Sequence, residues 1–112
     1  MKTPYGEIPA ENLSNYFEML INKTFKILPM KESETDTLKS YIDSFLTELI
    51  GNAVLLEAMR KEPAFISLLA TVSYLANCDY DVSVCRKEVF KCIHLLKDIR
   101  ERCCGGDDYA QV

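Results

Sequence analysis

The sequence is poor in the residues and patterns that most often carry chemistry. Its 112 residues include no tryptophan and a single histidine, His94, and glycine and proline contribute only four residues each. It contains no glycine-rich phosphate loop, no Gly-x-Ser-x-Gly elbow, and no Cys-x-x-Cys or His-x-x-x-His pair. These absences argue against a nucleotide site, a serine hydrolase and a compact zinc site, so we expect no enzyme activity, metal or cofactor.

Long apolar runs and an excess of positive charge are also missing. The longest charge-free stretch, 63–78, contains Ser67, Thr71 and Ser73 and falls short of the about 20 apolar residues that span a bilayer. The first residues contain no apolar run of signal-peptide length, so we expect a cytoplasmic location and no membrane association. The net charge of −4 argues against nucleic-acid binding by the surface as a whole.

The sequence does contain many apolar residues, 48% of the total, and they are spaced as in helices. A helix that is apolar on most sides has to be surrounded by other elements, and stretch 63–78 has this character. Its apolar residues form two adjacent helical stripes, one of Phe65, Leu68, Val72 and Leu75 and one of Ile66, Leu69 and Ala76. We therefore predict the all-α class: a compact bundle of four longer helices plus one short helix, around a buried charge-free helix at 63–78.

Capping residues and prolines predict where the first helices begin and end. The first helix starts at Pro9 and is ended or kinked by Pro29, because a proline disfavours helical geometry at the residue before it. The second helix runs over 33–50, with Ser33 as its N-cap and Gly51 as its C-cap.

The rest of the chain is divided on the same grounds. A short helix is predicted at 53–60, and the last helix runs from Val82 to about Arg102, with Asp79 or Asp81 as its cap. We expect three parts: an N-terminal arm at 1–8, a single helical-bundle domain at 9–104, and a flexible acidic tail at 105–112.

The last helix has the most regular apolar spacing in the chain. Its apolar residues recur at intervals of three and four, as in a heptad stripe: Val82, Cys85, Val89, Cys92, Leu96, Ile99 and Cys103. Cys85 and Cys92 lie about 10.5 Å apart along the axis, too far for a disulfide, so we interpret them as small core residues. We expect Cys103 and Cys104 to be more exposed. Together with Cys78 they leave open a thiol-dependent or metal-dependent activity.

Charge is distributed unevenly along the chain. Residues 82–104 contain six basic and three acidic residues, although the whole chain is acidic. This excess predicts a basic face that contacts an acidic partner or nucleic acid. Surface pairs such as Lys97 with Glu101 and Glu88 with Lys91, and contacts with the acidic second helix, are the alternative explanation. We expect no aromatic residues interleaved on the basic face, which makes nucleic acid the weaker of the two partners.

Surplus apolar surface is the remaining indication of function. Several helices carry more apolar surface than one bundle needs, as in a homodimer or a groove that receives a partner helix. We therefore predict a cytoplasmic protein–protein interaction or adaptor module that binds a protein partner or itself. The alternative is a nucleic-acid-associated regulator that uses the basic C-terminal helix. The predicted partner-binding residues are Phe90, Ile93, Arg86, Lys97 and Arg100.

Overall fold

The computed structural model describes residues 2–3, 6–7, 9–55 and 60–105. The described residues are mostly helical, which confirms the predicted all-α class, and two short strands precede the helices. The elements are β1 (Lys2–Thr3), β2 (Gly6–Glu7), α1 (Ala10–Phe25), α2 (Ile27–Glu32), α3 (Leu38–Leu55), α4 (Pro63–Asn77), α5 (Val82–Arg100) and a π-helical turn (Glu101–Gly105). The two strands are antiparallel, with Lys2 opposite Glu7, so part of the predicted arm is regular. The predicted tail at 105–112 lies outside the described residues, apart from Gly105.

The four longer helices form an antiparallel bundle. Helix α5 packs against α1 on one side and α4 on the other, and α3 packs against α4. Between α1 and α3, the Tyr41 hydroxyl donates to the Lys23 carbonyl (2.7 Å), and the Asn52 amide donates to the Tyr16 hydroxyl (2.6 Å). Each long helix therefore runs antiparallel to the next around the bundle.

The core lies along the facing sides of these four helices. In α5 the heptad stripe is fully buried at Cys85, Val89, Cys92, Leu96 and Ile99, which confirms the prediction that the two cysteines are core residues. Full burial of an aliphatic side chain contributes roughly 1.5–3 kcal/mol. The other helices supply matching stripes, among them Leu13, Phe17, Leu20, Ile42, Phe45, Leu49, Phe65, Leu68 and Val72.

The first helix ends earlier than predicted. It stops at Phe25, and Lys26 separates it from α2, in which Pro29 is the third residue. In one continuous helix the proline ring would clash with the Phe25 carbonyl and leave that carbonyl without its hydrogen bond. In the first turn of α2 the missing N–H costs nothing. Among the described residues, α2 is a short helix, and it buries Ile27 and Leu28.

The start of α3 also differs from the prediction. Ser33 ends α2 and is not an N-cap, since its N–H donates to the Pro29 carbonyl (3.0 Å). Glu34 then has a φ of 53°, in the left-handed region that commonly follows a helix end. Because α2 continues the helical path past Pro29, residues 33–37 are needed to reverse the chain, and α3 begins only at Leu38.

Gly51 lies inside α3, so its predicted role as a C-cap is wrong. The buried face of α3 continues past it, from Phe45 and Leu49 to Ala53, which is itself buried. Tertiary packing of this face outweighs the low helix propensity of one glycine. The predicted short helix at 53–60 does not begin at residue 53, because residues 53–55 are the last residues of α3. Residues 56–59 lie outside the described part.

The charge-free helix α4 is present as predicted, with Pro63 in its first position. It is buried along the face that carries Phe65, Leu68 and Val72, but it is not enclosed. Ile66, assigned to the second apolar stripe, is 68% exposed. Contacts with α3 and α5 cover one side of the helix and leave the other side open.

Helix α5 begins as predicted and ends in a different way. The Asp81 carboxylate accepts a hydrogen bond from the Val84 N–H (2.9 Å), so Asp81 is the N-cap. The regular helix ends at Arg100, and a π-helical turn carries the chain on to Gly105. None of the helices in the described part is long and apolar enough to cross a membrane.

Candidate functional site

Two phenylalanine rings from different helices meet at the surface of the bundle. Phe25, the last residue of α1, contacts Phe90 of α5 edge to face, with ring centroids 6.0 Å apart and an angle of 84° between the planes. Their exposed fractions are 49% and 48%. The geometry is a favourable one for aromatic pairs, yet half of each ring remains in contact with water.

Two ion pairs lie on either side of this ring contact, in the same junction between helices. Arg100 Nη1 of α5 lies 3.0 Å from Glu18 Oε2 of α1, and Arg86 Nη2 lies 3.8 Å from Glu32 Oε1 of α2. The three contacts pair Glu18 with Arg100, Phe25 with Phe90, and Glu32 with Arg86, so successive residues of α1 and α2 meet earlier and earlier residues of α5. The antiparallel packing of α5 against α1 and α2 therefore holds the two rings between a pair of charge contacts.

The predicted partner-binding residues occupy three different environments. Phe90 is exposed, and Lys97 is exposed two helical turns further along α5. Arg86 and Arg100 are held by acids of the N-terminal helices. Ile93, in contrast, is 7% exposed and belongs to the core, because it lies on the side of α5 that faces the bundle.

The ion pairs of the basic helix differ from those predicted. Its arginines contact acids from other parts of the chain: Arg86 contacts Glu32, Arg100 contacts Glu18, and Arg102 Nη1 lies 3.3 Å from Glu62 Oε2. None of these three acids belongs to the predicted second helix at 33–50. The arginine charges thus serve contacts within the fold, and the exposed lysines are left to define the character of the outer face.

An aromatic ring does lie on the basic face, contrary to the prediction. Lys87 and His94 are exposed about one helical turn before and after Phe90, and exposed Lys97 follows on the same side. With Phe25, these residues form a surface that we call the aromatic–basic surface: Phe25, Lys87, Phe90, His94 and Lys97. Sequence reasoning did not single out Phe25. Pro29 was the available signal, since its clash with the Phe25 carbonyl ends α1 at that residue.

Two other exposed apolar side chains of the described residues, Ile66 and Tyr74, lie apart from this surface. Ile66 lies on the open side of α4. The Tyr74 ring stacks on Tyr80 at a centroid distance of 5.7 Å, and Lys31 Nζ lies 4.8 Å from the centre of the Tyr80 ring. The Tyr80 hydroxyl also donates to the Leu75 carbonyl. These contacts attach the turn between α4 and α5 to α2 and explain Tyr74 as a structural residue.

Two shallow clefts offer little for chemistry. One, of about 310 Å³ between α1 and α3, is lined by the ion pair of Lys23 and Glu48 (2.8 Å) together with Tyr41, Ser44 and Phe45. The other, of about 350 Å³ between α4 and α5, is lined by Ser67, Ala70, Thr71, Tyr74, Glu88 and Lys91. Among the described residues, no group of three His, Cys, Asp or Glu side chains could hold a metal ion.

The thiols are also poorly placed for chemistry. Burial raises the pKa of Cys92 to about 12, and it raises the pKa of Cys85 as well, so both thiols are protonated at neutral pH. Cys78 is exposed and Cys103 is half-buried against the core, while the side chain of Cys104 lies outside the described part.

No protein-family model, curated protein or solved structure matches this chain. The aromatic–basic surface is therefore the feature of the described residues that best indicates a function. Apolar rings at the centre of a patch with polar and charged groups around them are typical of protein–protein interfaces.

Proposed function

We propose that the protein is a cytoplasmic protein–protein interaction module that binds a partner through the aromatic–basic surface. The observation that carries the proposal is the contact between Phe25 and Phe90, two rings that stay about half exposed beside a well-packed core. Aromatic residues are enriched at the centres of interfaces, where they carry much of the binding energy.

The exposed part of the two rings is large enough to matter energetically. A phenylalanine side chain buries on the order of 200 Å² when fully covered, so covering the exposed halves removes about 200 Å² in total from water. At about 25 cal/mol per Å² this contributes roughly 5 kcal/mol, before the cost of association is subtracted. The surface thus suits an anchor of moderate affinity with further contacts around it.

The charge of the surface favours a different protein over a second copy of this chain. In a two-fold dimer through this surface, the positively charged patch would face its own copy, and like charges oppose such contact. A homodimer would be better accommodated on the open, charge-free side of α4 around Ile66.

A nucleic-acid-associated regulator is the second candidate, because Phe90 lies among Lys87, His94 and Lys97. The ring contact weighs against it, because each ring uses an edge or a face on the other ring, where a base would stack. Binding that weakens steeply with salt would be the signature of this function.

Photo-crosslinking from the surface itself tests the proposal. The photoreactive residue p-benzoylphenylalanine replaces Phe90 in one variant and Ile66 in a control variant, since Ile66 is exposed on another helix. Both are irradiated in the native cells, and adducts are identified by mass spectrometry after nuclease treatment. We expect one main protein adduct from position 90 that is absent from position 66. Equal adducts from both positions, or adducts with nucleic acid alone, would contradict the proposal.

A further inference from the structure

The aromatic–basic surface also indicates the chemistry of its partner. We infer that it binds an acidic protein segment in which an apolar side chain packs on Phe25 and Phe90, with carboxylates on either side facing Lys87 and Lys97. This inference rests on the proposed function of the same surface and adds the partner's charge and the spacing of its side chains.

Some of the charged side chains beside the two rings already form ion pairs within the fold. Arg86 and Arg100 contact Glu32 and Glu18, so these two arginines and two acids largely neutralise one another. Lys87, His94 and Lys97 extend from the exposed side of α5 around Phe90. Besides these ion pairs, Lys87 and Lys97 leave two positive charges within two helical turns of Phe90, although the chain as a whole carries a charge of −4.

The helix geometry sets the spacing of the complementary acids. At a rise of about 1.5 Å per residue, Lys87 lies about 4.5 Å from Phe90 along the axis, and Lys97 lies about 10.5 Å from it in the other direction. The cations thus cover about 15 Å along the surface. A helical partner parallel to α5 would match them with acids one turn before and two turns after its apolar residue. In an antiparallel partner the order of the two acids is reversed.

The charges are expected to contribute specificity more than raw affinity. Exposed ion pairs each contribute little to affinity, because the groups remain partly hydrated and salt screens them. Pairs with Lys87 and Lys97 together are expected to change the dissociation constant by roughly tenfold. Charge complementarity also raises the association rate and disfavours partners of the wrong sign.

Three matched helical peptides provide the test. They share the same leucine positions and differ only in the polar positions of the contacting face, which carry Glu, Gln or Lys. Each is titrated into the isotope-labelled full chain, and amide chemical shifts report both the dissociation constant and the residues contacted. We expect shifts around Phe25 and Phe90, with the Glu peptide bound roughly tenfold more tightly than the Gln peptide and the Lys peptide weakest.

Charge-reversal variants connect the preference to named residues. Lys97→Glu should weaken binding of the Glu peptide several-fold and strengthen binding of the Lys peptide, since only the sign of the charge at one position changes. Lys91→Glu is the matched control: Lys91 is on the same helix but lines the cleft against α4, so the preference should not move. Phe90→Ser should weaken all three peptides.

The possible failures of the inference and of the proposed function are distinguishable. Equal binding of the three peptides at the two rings would overturn the inference that the partner is acidic, while it would still support the aromatic–basic surface as a binding site. Tighter binding of a single-stranded oligonucleotide of mixed sequence at the same residues would also overturn it. If no peptide shifts these residues, the inference is overturned, and the crosslink from position 90 decides separately whether the surface binds a protein.

Discussion

Phe25 and Phe90 contact each other edge to face at the surface where α1 and α5 meet, with ring centroids 6.0 Å apart. One ring belongs to the residue at which α1 ends, and the other projects from a helix whose neighbouring face forms the core. The contact therefore holds together two helices while it leaves half of each ring exposed. Its structural and functional roles can be measured separately.

The ring pair should contribute modestly to stability. A double-mutant cycle with Phe25→Ala and Phe90→Ala is expected to give a coupling free energy of about 0.5–1.5 kcal/mol, the usual value for an aromatic pair. Urea unfolding of the four proteins measures it. Ile93→Ala is the comparison within the same helix. Because Ile93 is buried, this substitution should lower the free energy of unfolding by about 2–5 kcal/mol. A loss of that size for Phe90→Ala would show that Phe90 is a core residue and would weaken the case for an exposed anchor.

Gly51→Ala should stabilise the protein. Gly51 is an exposed position inside α3, and a β-carbon added there would meet nothing within 4 Å. Alanine in a helix is favoured over glycine by about 0.5–1 kcal/mol, so the urea midpoint should rise while the slope of unfolding free energy against urea stays constant. Destabilisation would mean that the backbone at residue 51 is not helical.

The cysteines should differ widely in their reactivity toward iodoacetamide. Cys78 is exposed and should be alkylated first in the native protein, whereas Cys85 and Cys92 have no exposed surface and raised thiol pKa values. Peptide mass spectrometry after timed labelling at pH 8 measures this order. Denaturation with guanidinium should make all three react at similar rates, and rapid native labelling of Cys92 would contradict its place in the core.

Stability should fall on the alkaline side of neutrality. Burial raises the pKa of Cys92 from 9.0 to about 12, and burial also raises the pKa of Tyr16 from 10.0 to about 12, despite the hydrogen bond from Asn52. The unfolded chain then releases these protons at lower pH than the folded chain. The stabilisation is complete below pH 9 and is lost as pH rises toward 12. Urea unfolding over this range should show the decline.

Cysteine variants separate the contribution of Cys92 to this decline. Cys92→Ala removes one of the buried thiols, so it should lower stability at neutral pH but make the decline above pH 9 shallower. Cys78→Ala is the control, because it removes a thiol that is exposed. An identical slope in the Cys92→Ala protein would show that the Cys92 thiol does not titrate in this range.

The fold was predictable where the apolar period is regular, and this is clearest in α5. Intervals of three and four placed Cys85, Val89 and Cys92 in the core, and Asp81 is the cap that the local sequence favours. Capping residues were less informative elsewhere. Ser33 and Gly51 are good caps taken alone, but the path of α2 and the buried face of α3 override them.

The candidate site was only half predictable for a related reason. Periodicity shows which residues of a helix share a face, but not which neighbour covers that face. Ile93 lies beside the heptad stripe of α5 and is buried, whereas Phe90 lies on the face that carries Lys87 and Lys97 and is exposed. Phe25 comes from a helix 65 residues earlier in the chain, so its contact with Phe90 depends on the tertiary arrangement.

The most direct test of the central proposal is quantitative capture from native cells with the tagged wild-type protein, Phe90→Ser and Ile66→Ser, each with and without nuclease. If the aromatic–basic surface is the binding site, the wild type and Ile66→Ser should retain one protein stoichiometrically, with and without nuclease. Phe90→Ser should not retain that protein, although circular dichroism shows that the variant is folded. A partner retained equally by Phe90→Ser, or retention that disappears with nuclease, would contradict the proposal that these two rings are the binding anchor for a protein.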